Sequence, residues 1–306
     1  MTAFDIVTSG FLISALRSAT PLTFALVGET LTQRTGVINL GLEGQLLVGA
    51  MCAYAVTAAW GNPWLGLVAG AIAGMALSAV HAALVVGARA NQFASGLAVW
   101  MLGFGLSAYY GSSLVGRKIE SFESIVPKSV ADVPVLGSVI AGLTPTVVLA
   151  VLIVPVSALW LWRTRTGLRW RAVGESPDDA RAAGANPSLI RIQAILTGGL
   201  LSGLGGAALS VDYTRTWAEG MSAGRGLVAV GLVIVARWNP WWTFPAALLF
   251  GGAEALSLRL QTADSNVSAH LLHCLPYVAS LAILTLTYVR GRVSSAPAGL
   301  RAVMDR

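Results

Sequence analysis

The sequence predicts an all-α protein that threads a membrane many times. Of its 306 residues, 55% are hydrophobic and only 11% charged, whereas a soluble domain carries about 25% charged residues. Mean hydropathy is +0.71. The apolar residues fall in long runs, most of them near the ~20 residues that a helix needs to cross a ~30 Å hydrocarbon core. Between the runs stand short polar stretches rich in Arg, which supplies all but two of the 20 basic residues. Basic residues gathered in loops mark the cytoplasmic side of a membrane protein, so the net charge of +6 does not point to nucleic acid.

Nine spans are expected, or ten, within a single transmembrane domain covering 1–306. The runs lie near 9–30, 38–60, 63–88, 92–115, 144–162, 190–211, 224–237, 241–261 and 271–290. The second is interrupted early by Asn39, Gly41, Glu43, Gly44 and Gln45. The seventh, GRGLVAVGLVIVAR, is short and punctuated by glycine. Broken or re-entrant segments are therefore expected near 38–45 and 224–237, where protein must bury the irregular backbone.

Arg distribution sets the orientation. The stretch 163–191 carries Arg163, Arg165, Arg169, Arg171, Arg181 and Arg191 against Glu175, Asp178 and Asp179. The tail 291–306 and its preceding residue bring Arg290, Arg292, Arg301 and Arg306 against Asp305. Both go inside. The loop 117–143 balances Arg117, Lys118 and Lys128 against Glu120, Glu123 and Asp132, and goes outside. Counting back through four spans puts the N-terminus outside. The first thirty residues lack a basic leader and a small-residue cleavage site, so no removable signal peptide is expected.

Trp60, Trp64, Trp160, Trp162, Trp238, Trp241 and Trp242 fall at expected span ends, as an aromatic belt would place them. Trp100 is mid-span and fits core packing. Gly66, Gly70, Gly74, Ser78 and Ala82 recur every four residues, as do Gly198, Ser202, Gly206 and Ser210. Each set makes a small-residue stripe that lets another helix approach closely.

No catalytic constellation is present. A phosphate-binding loop needs Gly-Lys-Ser/Thr, and neither Lys118 nor Lys128 follows a glycine. Cys52, Cys274, His81, His270 and His273 have no metal-ligand spacing. The polar stretch, by contrast, is built as a helix. Ser176 can cap it, Pro177 suits the first position, and Asp178 and Asp179 oppose the positive end of the helix dipole. Gly184 can end it in the left-handed conformation. A helix over 177–183 is expected, ~10 Å long at ~1.5 Å per residue. So short a helix is marginal in water and needs something to pack against; the bland alternative is an ordinary turn between spans. Asn186-Pro187 repeats the cap-plus-proline start for the next span.

The segment GESPDDARAAGANPSLIR resembles the cytoplasmic coupling loop of ABC importer permeases for simple sugars and nucleosides. RTGVINLGLEGQLLVGA (34–50), NQFASGLAVWMLGFGL (91–106) and GRGLVAVGLVIVARWNPWWTFPAALLFGGAEAL (224–256) resemble three further blocks of that family, in the same order. Trp100 departs from the smaller or amide residue more common there. The Asn-Leu-Gly-x-Glu-Gly and Arg-Trp-Asn-Pro elements resemble the nucleoside branch more closely than the ribose branch. The resemblance implies a non-catalytic translocation subunit in the inner membrane of a bacterium. A second permease, identical or different, a separate ABC ATPase using ATP and magnesium, and an extracytoplasmic binding protein would complete it. The chain itself would bind no cofactor. The coupling element would then be Gly174, Glu175, Ser176, Pro177, Asp178, Asp179, Ala180, Arg181, Ala182, Ala183 and Gly184.

Polar residues within the runs are candidates for the substrate pathway: Asn39, Glu43, Gln45, Asn91, Trp100 and Glu254. Ionisable groups in lipid are costly and face protein or water. Glu43 and Glu254 could each accept hydrogen bonds from backbone N–H groups freed at the Gly-rich breaks, or contact cargo directly. Arg17, deep in the first run, is expected to pair with one of them. A reading from another class is a stand-alone, ion-coupled transporter with discontinuous helices at 38–45 and 224–237.

Overall fold

The computed structural model describes residues 3–125, 139–140, 142–262, 268–289 and 296–300. Lys128, Asp132 and the arginines of the tail lie outside them. The helices are α1 (Ala3–Gln33), α2 (Leu42–Trp60), α3 (Pro63–Ala82), α4 (Gln92–Gly111), α5 (Pro145–Arg163), α6 (Arg165–Glu175), α7 (Pro177–Ala182), α8 (Pro187–Ala207), α9 (Arg225–Val235), α10 (Thr243–Thr262) and α11 (Ala269–Val289). Wider π-type turns extend α3 through Ala83–Gly87 and α8 through Ala208–Tyr213. No strand occurs among the described residues.

Among the described residues six helices, α1–α5 and α8, are long and apolar enough to cross a membrane. The pair Arg225–Val235 and Pro240–Gln261 qualifies only together, bent by 120°, which makes seven at most. Nine full-length spans are therefore not found among the described residues. The seventh run forms α9, whose 11 residues rise only ~16 Å, about half a bilayer. It is one limb of a broken element shared with the eighth run. In α11 the described apolar stretch is Cys274–Leu286. Near 38–45 the break lies between helices and not within a span: residues 34–41 are non-helical, and α2 runs unbroken from Leu42.

Burial divides the bundle into a centre and a rim. In α2 and α8, 72% and 78% of the spanning window is buried, against 33% and 28% in α3 and α4. Val68, Ile72, Leu152, Val156, Leu159, Val278 and Leu281 stand exposed around the rim. Apolar surface on this scale marks contact with lipid or another protein.

Glycine sets the central contacts. Gly198, Ser202, Gly206 and Ser210 share one face of α8 and pack on α1 and α2. Gly198 meets Gly28 and Thr32, while Ser202 and Ser210 donate to the carbonyls of Leu42 and Ala50 at 3.0 and 2.8 Å. Gly199 and Gly203, one residue on, face Gly74 of α3. A Cβ on Gly206 would lie 2.0 Å from the Leu46 carbonyl oxygen. Gly206→Ala is therefore expected to push α8 off α2 and lower thermal stability in detergent by about 1–3 kcal/mol, as overpacking does in cores. Thermal unfolding followed by tryptophan fluorescence checks this.

Trp60, Trp64, Trp162, Trp241 and Trp242 are exposed at helix ends, as a belt requires. Trp238 is not in that belt: it is 5% exposed and donates from Nε1 to the Gln33 side-chain oxygen at 2.7 Å. The run of Arg237, Trp238 and Asn239 turns the chain from α9 to α10, so its indole is folded inward.

Candidate functional site

Two polar centres stand out, one inside the bundle and one at its end. The inner one is assembled from the two chain breaks. Glu43, in the first turn of α2, accepts from the backbone N–H of Gly224 at 2.8 Å and of Gly226 at 2.5 Å, and from the Ser222 hydroxyl. The carboxylate of one break thus caps the helix that starts at the other, where first-turn N–H groups lack helical partners. Gly226 permits this: a Cβ there would fall 2.5 Å from the Glu43 Cα.

Arg225 opens α9 and is 8% exposed. It forms an ion pair with Glu254 of α10, whose other oxygen accepts from the Ser18 hydroxyl of α1 at 2.5 Å. Arg225 also donates to the carbonyls of Met221 and Ser222 at 3.3 and 3.2 Å. Glu254 lies eleven residues after the start of α10, ~16 Å along it, and Ser18 lies fifteen before the end of α1, ~22 Å along that helix. The cluster is therefore mid-bundle, the depth at which charge is most costly and must be paired.

The other expected residues are distributed elsewhere. Asn39 and Gln45 are fully buried and bond each other at 3.1 Å, in a network where Glu29 accepts from the Asn39 N–H and the Gln33 amide. Asn91 caps α4, accepting from Phe93 and Ala94. Trp100 packs its backbone on Gly44. Arg17 does not pair with either carboxylate: it donates to the Gly142 carbonyl at 3.2 Å, and Arg225 takes the expected place. Arg225, Ser222 and Ser18 were missed by the sequence reading, although an arginine opening a Gly-rich apolar run is itself a signal.

The end centre is the charged stretch. α7 has the expected caps: the Ser176 hydroxyl accepts from Asp179 at 3.3 Å, Pro177 is in the first turn, and Gly184 has φ +83°. Ala180 is its buried anchor, set among Trp170, Val173 and Ile190. Asp178, Asp179, Arg181, Ala182, Ala183 and Gly184 all face outward. The exposed Arg181–Asp178 pair, at 3.2 Å, adds little stability. α6 before it was not foreseen. Thr164 caps it at 3.0 Å, and Gly167, Trp170, Val173 and Gly174 bury one face.

Arg34 ties the charged stretch to the turn between α9 and α10. Its Nε donates to the Trp238 carbonyl at 2.5 Å, and its guanidinium lies 5.4 Å from the Trp162 ring centre. Burial lowers its pKa to about 10, with Glu175 opposing that shift and Arg171 adding to it, so it is charged at neutral pH. Gly174 of α6 lies against the Arg34 carbonyl, and the Ala298 N–H donates to Glu175 at 3.0 Å. Arg237 and Trp238 have φ +54° and +51°, a conformation that costs about 1–3 kcal/mol per non-Gly residue unless its surroundings hold it. Arg34 is such a holder. Arg34→Ala is expected to remove about 2 kcal/mol, the scale of a charge-assisted hydrogen bond, and to loosen this bend. Thermal unfolding in detergent and limited proteolysis near 237–239 check it.

An apolar bundle with six or seven helices able to cross a membrane is the fold of a multi-pass membrane protein. Residues 11–284 match the family described as branched-chain amino acid transport system / permease component, and the chain belongs to that family. It is 37% identical over 304 residues to a putative glucose ABC transporter permease protein, TsgC13, of Haloferax volcanii, covering 92% of each chain. It is 31% identical over 291 residues to the guanosine ABC transporter permease protein NupQ of Bacillus subtilis, covering 90% of this chain and 91% of that one. The nucleoside ABC transporter permease protein NupC of Lactococcus lactis is 29% identical over 282 residues, covering 88% and 89%. No solved structure matches the chain.

Proposed function

We propose that this permease is one translocation subunit of an ABC importer for nucleosides or simple sugars, with 1–306 as one transmembrane domain. Relatives matched over nearly their whole length carry guanosine, nucleoside and glucose in their names. The observation that carries the mechanism is α7, anchored through Ala180 with its acidic turn facing out. A separate ABC ATPase binds there and supplies the ATP and magnesium chemistry; this chain is non-catalytic and holds no cofactor. A second permease, of the same or another sequence, and an extracytoplasmic binding protein complete the assembly. Residues 163–191 form the coupling loop and 291–306 the tail, both cytoplasmic in a bacterial inner membrane, and 117–143 is extracytoplasmic. The bond between Glu175 and Ala298 supports one side for loop and tail. Five spans counted back from that side favour an N-terminus outside, with nine passes of which α9 is a half-length one. ATP-driven displacement of α6 and α7 passes through Gly174 and Arg34 to Trp238, and along α9 to Arg225 and Glu43. Asn39, Gln45, Asn91 and Trp100 support this inner frame, while Glu43 and Glu254 border the pathway.

The test is uptake of radiolabelled guanosine, uridine and glucose in the source cells. Uptake of at least one is expected to disappear when the chain is deleted, and also when the phosphate-binding lysine of the partner ATPase is replaced. Unchanged uptake of all three after deletion contradicts the proposal. The broken α9–α10 element, the buried carboxylates Glu29 and Glu43 and the half-buried Glu254 favour one other reading, ion-coupled transport by the chain alone.

A further inference from the structure

We infer that the C-terminal segment 296–300 is a working part of the coupling machinery, with Leu300 as its positioning residue. It ties the coupling loop to the bend between α9 and α10, so that the two move together. This rests on the permease reading and adds an element to it; the sequence placed the tail only by its side of the membrane. Terminal residues are poorly ordered unless something ties them down. Here three ties are present. The Ala298 N–H donates to the Glu175 carboxylate at 3.0 Å. Gly299 lies against the backbone of Gly174, whose carbonyl oxygen would be 2.8 Å from a Cβ at 299. Leu300 is 0% exposed and belongs to the same buried apolar cluster as Ile38, Ala236, Trp238 and Ala296.

Three glycines show how closely the segments meet. Gly36, in the turn after α1, has φ +81°. A Cβ there would lie 3.8 Å from the Gly299 carbonyl carbon and 3.9 Å from the Gly174 Cα. A Cβ on Gly174 would fall 2.0 Å from the Arg34 carbonyl oxygen. The turn after α1, the coupling loop and the tail therefore touch backbone to backbone, with no side chain between them to absorb a displacement. Close-packed contacts of this kind transmit strain. Arg191 of α8 also reaches this junction, donating to the Thr35 carbonyl at 3.3 Å. The contacts close into a ring. Gly174 and Glu175 hold the tail, and Leu300 enters the apolar cluster that contains Trp238. The Trp238 carbonyl accepts from Arg34, whose own carbonyl lies against Gly174. A long arginine side chain alone is a slack link, and the tail supplies a second path to the same bend.

The experiment compares ATP hydrolysis with transport in vesicles holding the whole complex: this chain, its second permease, the ATPase and the binding protein. Guanosine, uridine and glucose are the probes. Leu300→Ala is expected to leave hydrolysis near the wild-type rate while transport falls. ATP consumed per molecule carried then rises at least about fivefold, the lower end of couplings between sites. Leu300→Met, which conserves volume and apolar character, is expected to restore the wild-type ratio. Ala298→Pro removes the N–H that Glu175 accepts, at an exposed position, and is expected to raise the ratio in the same sense. A tail that only stabilises the fold lowers abundance, hydrolysis and transport together and leaves the ratio unchanged. That result for Leu300→Ala overturns the inference, as does a Leu300→Met ratio like that of alanine. If Leu300→Ala does not assemble, Ala298→Pro decides, and an unchanged ratio there overturns it. Each of these failures leaves the permease reading intact as long as the wild-type complex transports with ATP. A wild-type complex that carries none of the three probes with ATP removes the permease reading itself, and this inference with it.

Discussion

Ala182→Pro abolishes uptake while the chain still inserts at wild-type abundance: this is the expected result at the outer end of the relay. α7 has six residues, too few to sustain a helix by its own hydrogen bonds. It persists because Ser176 and Gly184 cap it and Ala180 is buried. Proline at 182 removes an N–H, collides with the carbonyl four residues back and drives Arg181 out of the helical region, at about 3 kcal/mol. Nothing in the bundle depends on Ala182, which is exposed, so insertion is unaffected. Adding Asp179→Ala also removes a carboxylate that opposes the helix dipole. Uptake of the cargo and an immunoblot of the membrane fraction read the two effects separately. Normal uptake by the double variant would make this helix a mere turn.

Glu43→Ala has the largest expected effect on stability. It leaves the Ser222 hydroxyl and the Gly224 and Gly226 N–H groups without their acceptor in a buried place. Each unsatisfied buried donor costs about 1–3 kcal/mol, and more when the lost partner is charged. With partial relaxation the sum is about 3–5 kcal/mol, enough to release the start of α9 from α2. Arg225 then loses its fixed approach to Glu254, so transport fails with stability. Glu43→Gln retains the shape and one acceptor oxygen and is expected to fall between wild type and alanine. The unfolding temperature in detergent measures all three; a wild-type value for Glu43→Ala would show that α9 is held by other contacts.

Local chemistry was legible in the sequence, and long-range pairing was not. Ser176-Pro177-Asp178-Asp179 and Gly184 announced α7 because capping uses residues within a few positions of one another. The small-residue spacing of α8 announced close packing, but not that Gly199 and Gly203 would face α3 while their neighbours face α1 and α2. Glu43 was expected to accept N–H groups freed at a break. That the break would lie about 180 residues away, at Gly224 and Gly226, depends on tertiary structure. The same reason hides the Arg225–Glu254 pair and the inward turn of Trp238, which resembled a belt residue because it follows an apolar run. The count of nine is not confirmed at α9, where hydropathy reports apolar character but the length falls short of a full bilayer.

The central claim is that energy enters this chain from an ATPase seated on α7. Its most direct test is transport into vesicles holding the purified permease complex, with guanosine, uridine and glucose as probes and the binding protein supplied at the extracytoplasmic face. The account predicts accumulation only when the ATPase is present and ATP is hydrolysed, with none under a sodium or proton gradient alone. Accumulation driven by an ion gradient in vesicles containing this chain and no ATPase would contradict it.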